Sequence, residues 1–446
     1  MKKKYALSIF SISIIMLISI GIYGARFLEK NDINLSEIIL NNLYNIDASQ
    51  TNEEKQDNME TNLSQSSYIN ANVSRDAIVT NTGYEGLNLY AEKKCYNLIK
   101  ANAYKISDTE LKPGLYSIEP ISITGYRLNS TQIKKVLYAI QNDNPDIFWI
   151  GSSFSYCYSG NKTILKLNSV FSKENLIIAI KKLNDKVKEI LSKAPKNVND
   201  YEMELFFHDY IVENCKYKNI GSTRNADLKV FTSYGCLVEN SAVCEGFSKS
   251  MQLLMNSVGI KCRTVVGARG SEPHMWNIVK INGNWYHIDV TWDGASGFQK
   301  YNYFNLTDEA IKKDHKINEE LRTTTKFDEN VRYNFKMPVC SSKNDNYYEK
   351  NAVKISKLDL QAENAITQGL IKASSSKKEY FYIKMDNTLP LETAKKQLVL
   401  QKPYKFFSCV NKANQSLKKG NKINNQQVQY SENAQQNVLI IKLSYK

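Results

Sequence analysis

The sequence contains little cysteine, histidine, proline or tryptophan: its 446 residues include 8 Cys, 4 His, 8 Pro and 4 Trp. Eight cysteines in so long a chain are too sparse for a scaffold held together by disulfides. No CxxC, HExxH or EF-hand pattern occurs, so the sequence predicts no metal site and no cofactor. No repeat of fixed period is present. With 42% hydrophobic and 23% charged residues, a fully disordered or collagen-like chain is excluded.

Arginine is absent after Arg332, although the chain as a whole is basic, with 59 Lys and Arg against 45 Asp and Glu. Most of the excess lies in residues 341–446, where 18 lysines face 8 acidic residues, whereas residues 201–340 carry 17 of each sign. Because arginine is the usual reader of phosphates and bases, we expect no nucleic-acid partner. The basic tail either rests on an anionic cell-wall or membrane surface or carries a solvated lysine surface without a partner.

Long apolar runs are also scarce, and the most pronounced one opens the chain. The lysines Lys2–Lys4 precede an uncharged run of 20 residues from Tyr5 to Gly24. A run of this length can span the hydrocarbon core of a membrane, and the lysines keep their side cytoplasmic. We expect residues 1–25 to be a signal anchor, with a cleaved signal peptide as the alternative. The other domains would then be extracytoplasmic, held at the cell membrane or secreted after cleavage.

The remaining chain divides into segments of different composition. Residues 26–82 are rich in Asn, Ser, Thr, Gln and Glu, which indicates a low-complexity tether. Three folded regions are expected after it: an N-terminal α/β region at 83–196, a central domain at 197–340 and a small basic α+β module at 341–446. In the first region, the pattern predicts strands around a turn at 159–161 and a helix over 173–193. In the last, it predicts strands at 380–385 and 438–445.

The central domain contains Cys, His and Asp in an order that suits nucleophilic catalysis. Cys244 is expected in the first turn of a helix capped by Asn240-Ser241, where the helix dipole favours a thiolate. His274 and Asp289 follow in strand-like segments; the imidazole could take the thiol proton and the carboxylate could orient the imidazole. Each residue alone is weakly indicative, because a lone cysteine on an apolar helix stripe is most often a small buried hydrophobic residue.

A hairpin signal bears on whether His274 and Asp289 meet. The dipeptide Asn282-Gly283 is a strong short-range turn signal, and it joins strand-like segments at 274–281 and 285–292. With a two-residue turn, the pairing places His274 and Asp289 on one face of the hairpin as diagonal neighbours. A slip of one residue in register would separate them.

The other three histidines are interpreted differently. His287 falls on the same face of the hairpin as His274 and is a rival base, further from the expected position of the helix. His208 lies in mid-helix beside two phenylalanines and is expected to be a packing residue. His315 lies in a lysine-rich stretch and is expected to be a solvated residue of a helix.

Four strings between residues 201 and about 305 carry a family resemblance: FFHDYIVENCKYKN, SYGCLVENSAVCEGFSKSMQLLMNSVGIKCRTVVG, HMWNIVKINGNWYHIDVTWD and YNYFNLTD. They resemble the transglutaminase-like superfamily, in the bacterial branch near the kyphoscoliosis-peptidase and cytokinesis-protein-3 type domains. The resemblance implies an α+β, papain-like cysteine-proteinase fold, in which a helix with the nucleophile packs on a small antiparallel sheet. It implies Cys244 as the nucleophile, His274 as base and then acid, and Asp289 as the residue that orients His274.

An enzyme of this kind also needs hydrogen-bond donors for the oxyanion that forms on the attacked carbonyl. The backbone N–H of Cys244 is one natural donor. The side chains of Tyr234 and Trp276 are candidates for the second donor, and the sequence does not decide between them.

The predicted function is therefore that of an extracytoplasmic thiol enzyme that attacks amide bonds and passes through a thioester. Its partner would be a protein or peptide substrate. Hydrolysis of the thioester would make it a peptidase or amidase acting on cell-surface protein or wall peptide. Attack by an amine would make it a protein-crosslinking transglutaminase instead. The third hypothesis is a non-catalytic surface scaffold or adhesion module.

Overall fold

A computed structural model of the chain describes residues 77–446, apart from residues 79, 221–226, 296, 325–327, 329 and 427–428. The expected anchor at 1–25 and nearly all of the expected tether at 26–82 lie outside the described residues. Of the helices in the described part, none is long and apolar enough to cross a membrane.

The first folded region is a five-stranded antiparallel sheet covered by helices. Its helices are α1 (Thr82–Gly86), α2 (Tyr90–Asn102), α3 (Ser130–Asp143) and α4 (Lys173–Lys193), and its strands are β1 (Ile106–Lys112), β2 (Leu115–Ile118), β3 (Ile121–Thr124), β4 (Ile150–Tyr158) and β5 (Lys162–Ser169). The strand order is β1-β2-β5-β3, with β4 also paired to β5. The predicted turn at 159–161 and the predicted helix over 173–193 are confirmed. Helix α4 starts where the Ser172 side chain accepts a hydrogen bond from the backbone N–H of Asn175.

The central region places the helix that begins at Cys244 across a four-stranded antiparallel sheet, whose strands lie in the spatial order 284–288, 272–281, 262–269 and 315–317. Its helices are α5 (Asp200–Asn214), α6 (Ser233–Leu237), α7 (Cys244–Ser257), α8 (Val290–Ala295) and α9 (Asp308–Ile311), and its strands are β6 (Lys216–Tyr217), β7 (Ser241–Ala242), β8 (Cys262–Arg269), β9 (Glu272–Ile281), β10 (Asn284–Ile288) and β11 (His315–Ile317). Short 3₁₀ turns occupy Leu228–Phe231 and Gly297–Gln299. Helix α7 packs through a buried stripe of Phe247, Met251, Leu254 and Val258. This is the papain-like α+β core that the resemblance implies.

The C-terminal module is a mixed four-stranded sheet with helices on it, and the expected α+β character is confirmed. Its helices are α10 (Tyr347–Asn351), α11 (Leu360–Ser375), α12 (Leu391–Lys395, continued by a wider turn at Lys396–Leu400) and α13 (Lys405–Ser416), and its strands are β12 (Val353–Ile355), β13 (Tyr380–Met385), β14 (Gln429–Asn433) and β15 (Val438–Lys442). The order is β12-β13-β15-β14, with only the β12–β13 pair parallel. The module has a hydrophobic core of its own around Ile366 and Phe406.

One hydrophobic core runs through the first two regions and reaches the third. Phe148 and Phe171 of the first region pack against Tyr234 of the central one, with ring centroids 5.8 and 5.2 Å from it. Tyr382 and Ile440 of the C-terminal module belong to the same core. The domain boundaries at 196 and 340 therefore stay predictions, because the packing is continuous across them.

Two local predictions in the central region are wrong. The strand expected over 285–292 ends at Ile288, because Asp289 leaves the sheet and caps helix α8. The cap expected at Asn240-Ser241 is also misplaced, since helix α7 begins at Cys244 with Val243 at its N-cap position. Ser241 instead pairs with Lys216 in the short β6–β7 ladder.

Candidate active site

Cys244 occupies the first position of helix α7, at the positive end of the helix dipole. All eight cysteines of the chain lie within the described residues, and seven of them are buried. Cys244 is the one that is partly exposed. Of the eight thiols, it is therefore the one that a substrate in solution can reach.

Hydrogen bonds join the start of helix α7 to strand β9. The hydroxyl of Ser248, one turn after Cys244, donates to the backbone oxygen of Met275 at 2.9 Å. In return, the side-chain amide of Asn277 donates to the backbone oxygen of Ser248 at 2.9 Å. Since Met275 follows His274 directly, these bonds hold the helix and the histidine in a fixed relation.

The hairpin register that the sequence predicts is confirmed, because Asn284 pairs with Ile281 and the ladder continues in step to Ile288. The backbone φ of Gly283 is 85°, which this turn requires. His274 and Asp289 meet as predicted: His274 Nε2 lies 2.6 Å from Asp289 Oδ2. Asp289 Oδ1 accepts from the backbone N–H groups of Thr291 and Trp292, which fixes the carboxylate.

The electrostatics of this pair favour a protonated His274. Burial opposes its charge, but the charge and hydrogen bond of Asp289, together with Cys244, raise the pKa of His274 to about 10. Burial also opposes the ionised carboxylate, but His274 and His315 outweigh it and hold the pKa of Asp289 below its usual range. Nε2 of His274 is hydrogen-bonded to Asp289. The other ring nitrogen, Nδ1, is therefore the one that faces Cys244. Cys244, His274 and Asp289 thus lie in series, with the imidazole between the sulfur and the carboxylate.

His315 is not the solvated helix residue that we expected. It is buried in strand β11, which pairs with β8 at the edge of the sheet. Its Nε2 lies 3.0 Å from Asp289 Oδ2, so two histidines share one carboxylate oxygen. Nothing in its lysine-rich surroundings indicates this position, which depends on a strand pairing between distant segments.

A second carboxylate continues the series beyond His315. Asp314 Oδ1 lies 2.6 Å from His315 Nδ1, and Asp314 Oδ2 accepts from the Tyr303 hydroxyl at 2.6 Å. The Arg269 guanidinium lies 3.2 Å from the same carboxylate. Burial opposes the ionised form of Asp314, but His315, Tyr303 and Arg269 lower its pKa to about 2. Opposite charges therefore alternate from His274 through Asp289, His315 and Asp314 to Arg269.

A cluster of charges lies beside the nucleophile on helix α7. Glu245 binds Lys249 and Arg332, each at 2.8 Å. Burial opposes the carboxylate, but the two cations lower the pKa of Glu245 to about 2. With two cations on one carboxylate, the cluster leaves a net positive charge next to Cys244.

Of the two side-chain candidates for the second oxyanion donor, the structure argues against Trp276, and Tyr234 stays a prediction. The Trp276 indole N–H donates to His287 Nδ1 at 3.0 Å, so it is directed away from Cys244. The Tyr234 ring packs between Phe148 and Phe171 in the core of the first region. Both positions fit packing roles, and the backbone N–H of Cys244 remains the natural donor.

The two remaining histidines are also buried and bound to carboxylates. His287, the rival base, lies 2.8 Å from Asp308 through Nε2 and accepts from Trp276 through Nδ1. An indole can only donate, so the Nδ1 of His287 carries the lone pair and the ring is neutral. His208 is buried between two carboxylates, 3.0 Å from Asp209 through Nδ1 and 3.1 Å from Asp293 through Nε2, which its expected packing role does not include. Neither ring is free to serve as the base for Cys244.

Within the described residues, two groups of side chains come close enough together to hold a metal ion. They are His274 with Asp289 and His315, and His287 with Asp308 and Cys340. In the first group, both histidine Nε2 atoms are bonded to Asp289. In the second, the tautomer fixed by Trp276 leaves a proton on the His287 nitrogen that faces Asp308. Hydrogen bonds therefore account for both groups, and the expected absence of a metal stays a prediction.

Two cavities meet at His274. The larger, of about 430 Å³, exposes Cys244 and is bordered by Phe231, Val331 and Arg332. The smaller, of about 150 Å³, touches His274 but not Cys244, and is lined by side chains that include Tyr217, Arg269 and Trp292. A substrate carbonyl can thus reach Cys244 from one cavity, while a second reactant can reach His274 from the other.

A match to a family model supports the resemblance found in the sequence. The family model of the transglutaminase-like superfamily matches residues 187–290. A solved TGase is 17% identical, with 39% of this chain and 50% of that chain covered and a TM-score of 0.23. A candidate cysteine protease from Cytophaga hutchinsonii is 14% identical, with 42% of this chain and 70% of that chain covered and a TM-score of 0.20.

The chain spans half the length of the solved TGase. No curated protein matches it. The match of the family model includes Cys244, His274 and Asp289, together with helix α7 and strands β9 and β10. Residues 187–290 therefore belong to the transglutaminase-like superfamily.

Proposed function

We propose that this protein is an extracytoplasmic thiol enzyme that hydrolyses amide bonds in a protein or peptide through a thioester on Cys244. One observation carries the proposal. The single cysteine that is not buried begins a helix, borders an open cavity and lies against His274, whose other nitrogen is 2.6 Å from a buried carboxylate. Structural cysteines need none of these features.

The chemistry follows from the positions of the three side chains. His274 Nδ1 takes the thiol proton, and the Cys244 sulfur attacks the amide carbonyl to give a tetrahedral oxyanion. When the C–N bond breaks, His274 returns the proton to the leaving amine and the acyl group remains on sulfur as a thioester. His274 then takes a proton from water, the hydroxide attacks the thioester, and the carboxylic acid leaves as the thiol is restored. Asp289 keeps the imidazole in the required orientation throughout.

The substrate class rests on the expected location as well as on the cavity. A cavity of about 430 Å³ that is open to solvent suits an extended peptide segment better than an enclosed small molecule. If residues 1–25 anchor the protein, or direct its secretion, the accessible amides are those of cell-surface protein and wall peptide. The basic C-terminal module would then hold the enzyme near an anionic wall or membrane surface.

A specific observation favours protein crosslinking as the second candidate. The smaller cavity reaches His274 without touching Cys244, and it is bordered by the aromatic rings of Tyr217 and Trp292. An amine that enters there could give up its proton to His274 and attack the thioester in place of water. Hydrolysis and crosslinking share all the catalytic residues and differ in which nucleophile occupies this cavity.

Full-length protein should be incubated with a glutamine-containing peptide and a fluorescent primary amine, with release of ammonia, cleavage of the peptide and attachment of the amine measured separately. Peptide cleavage or ammonia release without attachment supports hydrolysis, and attachment supports crosslinking. Each activity should be lost in Cys244→Ala and His274→Ala and retained in Cys157→Ala, a buried cysteine of strand β4. Activity that survives Cys244→Ala would contradict both hydrolysis and crosslinking through this residue. The absence of both activities on a panel of peptides would favour a non-catalytic scaffold.

A further inference from the structure

We propose that His315 is a positioning residue for His274: a permanently protonated imidazole that shares Asp289 and so eases transfer of the His274 proton to the leaving group. The inference rests on the proposed function, in which His274 must both take and return a proton. It goes beyond that function because it assigns a role to a residue outside the Cys–His–Asp series.

The charge of His315 follows from its two partners. Nε2 faces Asp289 Oδ2 at 3.0 Å and Nδ1 faces Asp314 Oδ1 at 2.6 Å. An ionised carboxylate can only accept hydrogen bonds, so each nitrogen must carry a proton. A neutral ring would direct a lone pair at one of these oxygens in a buried site. Two carboxylates therefore keep His315 in the imidazolium form.

This charge acts on His274 through the shared oxygen. The two rings are 5.5 Å apart, and both bind Oδ2 of Asp289. A like charge at this distance disfavours the protonated form of a histidine, typically by about one pH unit or more. Without the His315 imidazolium, Asp289 would hold the proton on His274 more tightly. Since a general acid works best when it is not too weak, the second imidazolium makes His274 a better proton donor to the leaving amine.

Other groups around His315 do not account for this effect. The charged and titratable side chains that face it are Asp289, Asp314, His274, His287, Tyr303 and Arg269. His287 is neutral because Nδ1 accepts the Trp276 indole N–H. Arg269 binds Asp314 and Tyr303, so its charge is balanced on the far side of His315. His315 is thus the cation that borders Asp289 opposite His274.

The matched control is His287. It is a second buried histidine of the same sheet, it is bound to a carboxylate, and it contacts Trp276 as His315 does. It does not touch Asp289. Replacing either histidine by glutamine removes an imidazole of similar burial and keeps an amide that can donate. A change that is specific to His315→Gln therefore reports its link to His274 and not a general loss of packing.

The test is the pH dependence of Cys244 alkylation by iodoacetate in the full-length protein, for which no substrate is needed. Iodoacetate is an anion, so its reaction with Cys244 slows when His274 loses its positive charge. The fall of the rate at alkaline pH, the alkaline limb of the profile, therefore reports the pKa of His274. We expect His315→Gln to move this limb upward by about one pH unit, and His287→Gln to leave it in place. A limb that does not move or moves downward in His315→Gln overturns the inference.

A second measurement needs no variant and so does not depend on the folding of His315→Gln. Nitrogen NMR of the unaltered protein, labelled in its histidines and with each ring assigned, should show both nitrogens of His315 protonated between about pH 6 and about pH 9, above the usual titration of histidine. A neutral His315 in this range overturns the inference. If Cys244 shows no enhanced reactivity in the unaltered protein, the proposed function itself fails, and this result is distinct from a failure of the role of His315.

Discussion

His274 and His315 donate to the same atom, Oδ2 of Asp289, at 2.6 and 3.0 Å. The other oxygen of this carboxylate is held by the first backbone N–H groups of helix α8. One residue thus ends strand β10, caps a helix and orients two imidazoles. One of these rings faces Cys244 and the other faces Asp314, so the orientation of the candidate base depends on contacts from three directions.

We predict that Asp289→Asn removes most of the Cys244 reactivity while leaving the protein folded. The asparagine oxygen can still cap helix α8. Its NH₂ group, however, would face Nε2 of His274 and Nε2 of His315, which both donate hydrogen bonds to Asp289 in the unaltered protein. His274 must then accept at Nε2 and carry its proton on Nδ1, where it can no longer take the proton of Cys244. Such a change of tautomer costs on the order of 10⁴-fold in related triads. The measurement is the rate of Cys244 alkylation near neutral pH.

Asp293→Asn is the control for this variant. Asp293 is a buried carboxylate one helical turn further on, and it is bonded to His208 instead of His274. Its loss should lower stability without a comparable loss of Cys244 reactivity. Equal losses in the two variants would mean that Asp289 acts only by holding the fold together.

The exclusion of Trp276 as oxyanion donor predicts the behaviour of Trp276→Phe. The indole N–H satisfies the buried Nδ1 of His287, so its loss should lower the free energy of unfolding by about 1–3 kcal/mol. The rate at which Cys244 is acylated by an activated ester should stay within a few-fold, since the phenyl ring keeps the packing against His274. A drop of about 10²–10³-fold, the usual effect of losing an oxyanion donor, would restore Trp276 to that role.

Glu245 should stabilise the protein in a defined range of pH. Lys249 and Arg332 lower its pKa to about 2 in the folded protein against an ordinary value of 4.5. Its contribution to the free energy of unfolding is therefore complete above about pH 4.5 and is lost as the pH falls toward 2. We expect Glu245→Gln to cost about 2 kcal/mol near neutral pH, less than a fully buried pair because Arg332 is partly exposed.

Urea unfolding at several pH values measures this directly, and Glu189→Gln provides the comparison. Glu189 also has two lysine partners, Lys186 and Lys193, but it lies on the exposed face of helix α4. Exposed pairs contribute little, so Glu189→Gln should change stability by less than about 1 kcal/mol. A difference between wild type and Glu245→Gln that does not shrink in acid would contradict the assignment.

The basic C-terminal module should bind anionic surfaces through exposed lysines if its charge has a partner. Lys378, Lys418 and Lys419 are exposed, and the segments that carry them are joined by the hydrogen bond from Ser374 to Asn421. The triple change of these lysines to glutamine should weaken binding to vesicles of anionic lipid, and low salt should enlarge the difference. A matched triple change on helix α4, at Lys181, Lys182 and Lys188, should have little effect. Equal effects would mean that the lysines act only as a solvated surface.

The sequence predicts the parts of the site that depend on local signals. The turn at Asn282-Gly283 and the alternation of side chains along a strand place His274 and Asp289 together, and the register is confirmed. The same register brings Trp276 and His287 onto one face of the hairpin as diagonal neighbours. Their hydrogen bond could therefore have been anticipated, which would have removed Trp276 from the oxyanion candidates.

The role of His315 could not be anticipated in this way. Lys312 and Lys313 beside it are exposed, and a lysine-rich stretch gives no pattern of buried positions. His315 becomes buried only because β11 pairs with β8, at Arg269, more than forty positions earlier in the chain. Gly267 permits this pairing, since a Cβ there would overlap the backbone of Lys316 and the ring of Trp276. Such a close approach is set by tertiary packing and not by a local motif.

The central claim is that His274 activates the thiol of Cys244, and site-resolved alkylation by iodoacetamide tests it most directly. Labelling of all eight cysteines should be followed by mass spectrometry near neutral pH, in native protein and in urea, where burial no longer separates them. Cys244 should react faster in the native protein than in urea, and this advantage should disappear in His274→Ala. A native Cys244 that reacts no faster than in urea, or whose rate does not depend on His274, would contradict the account.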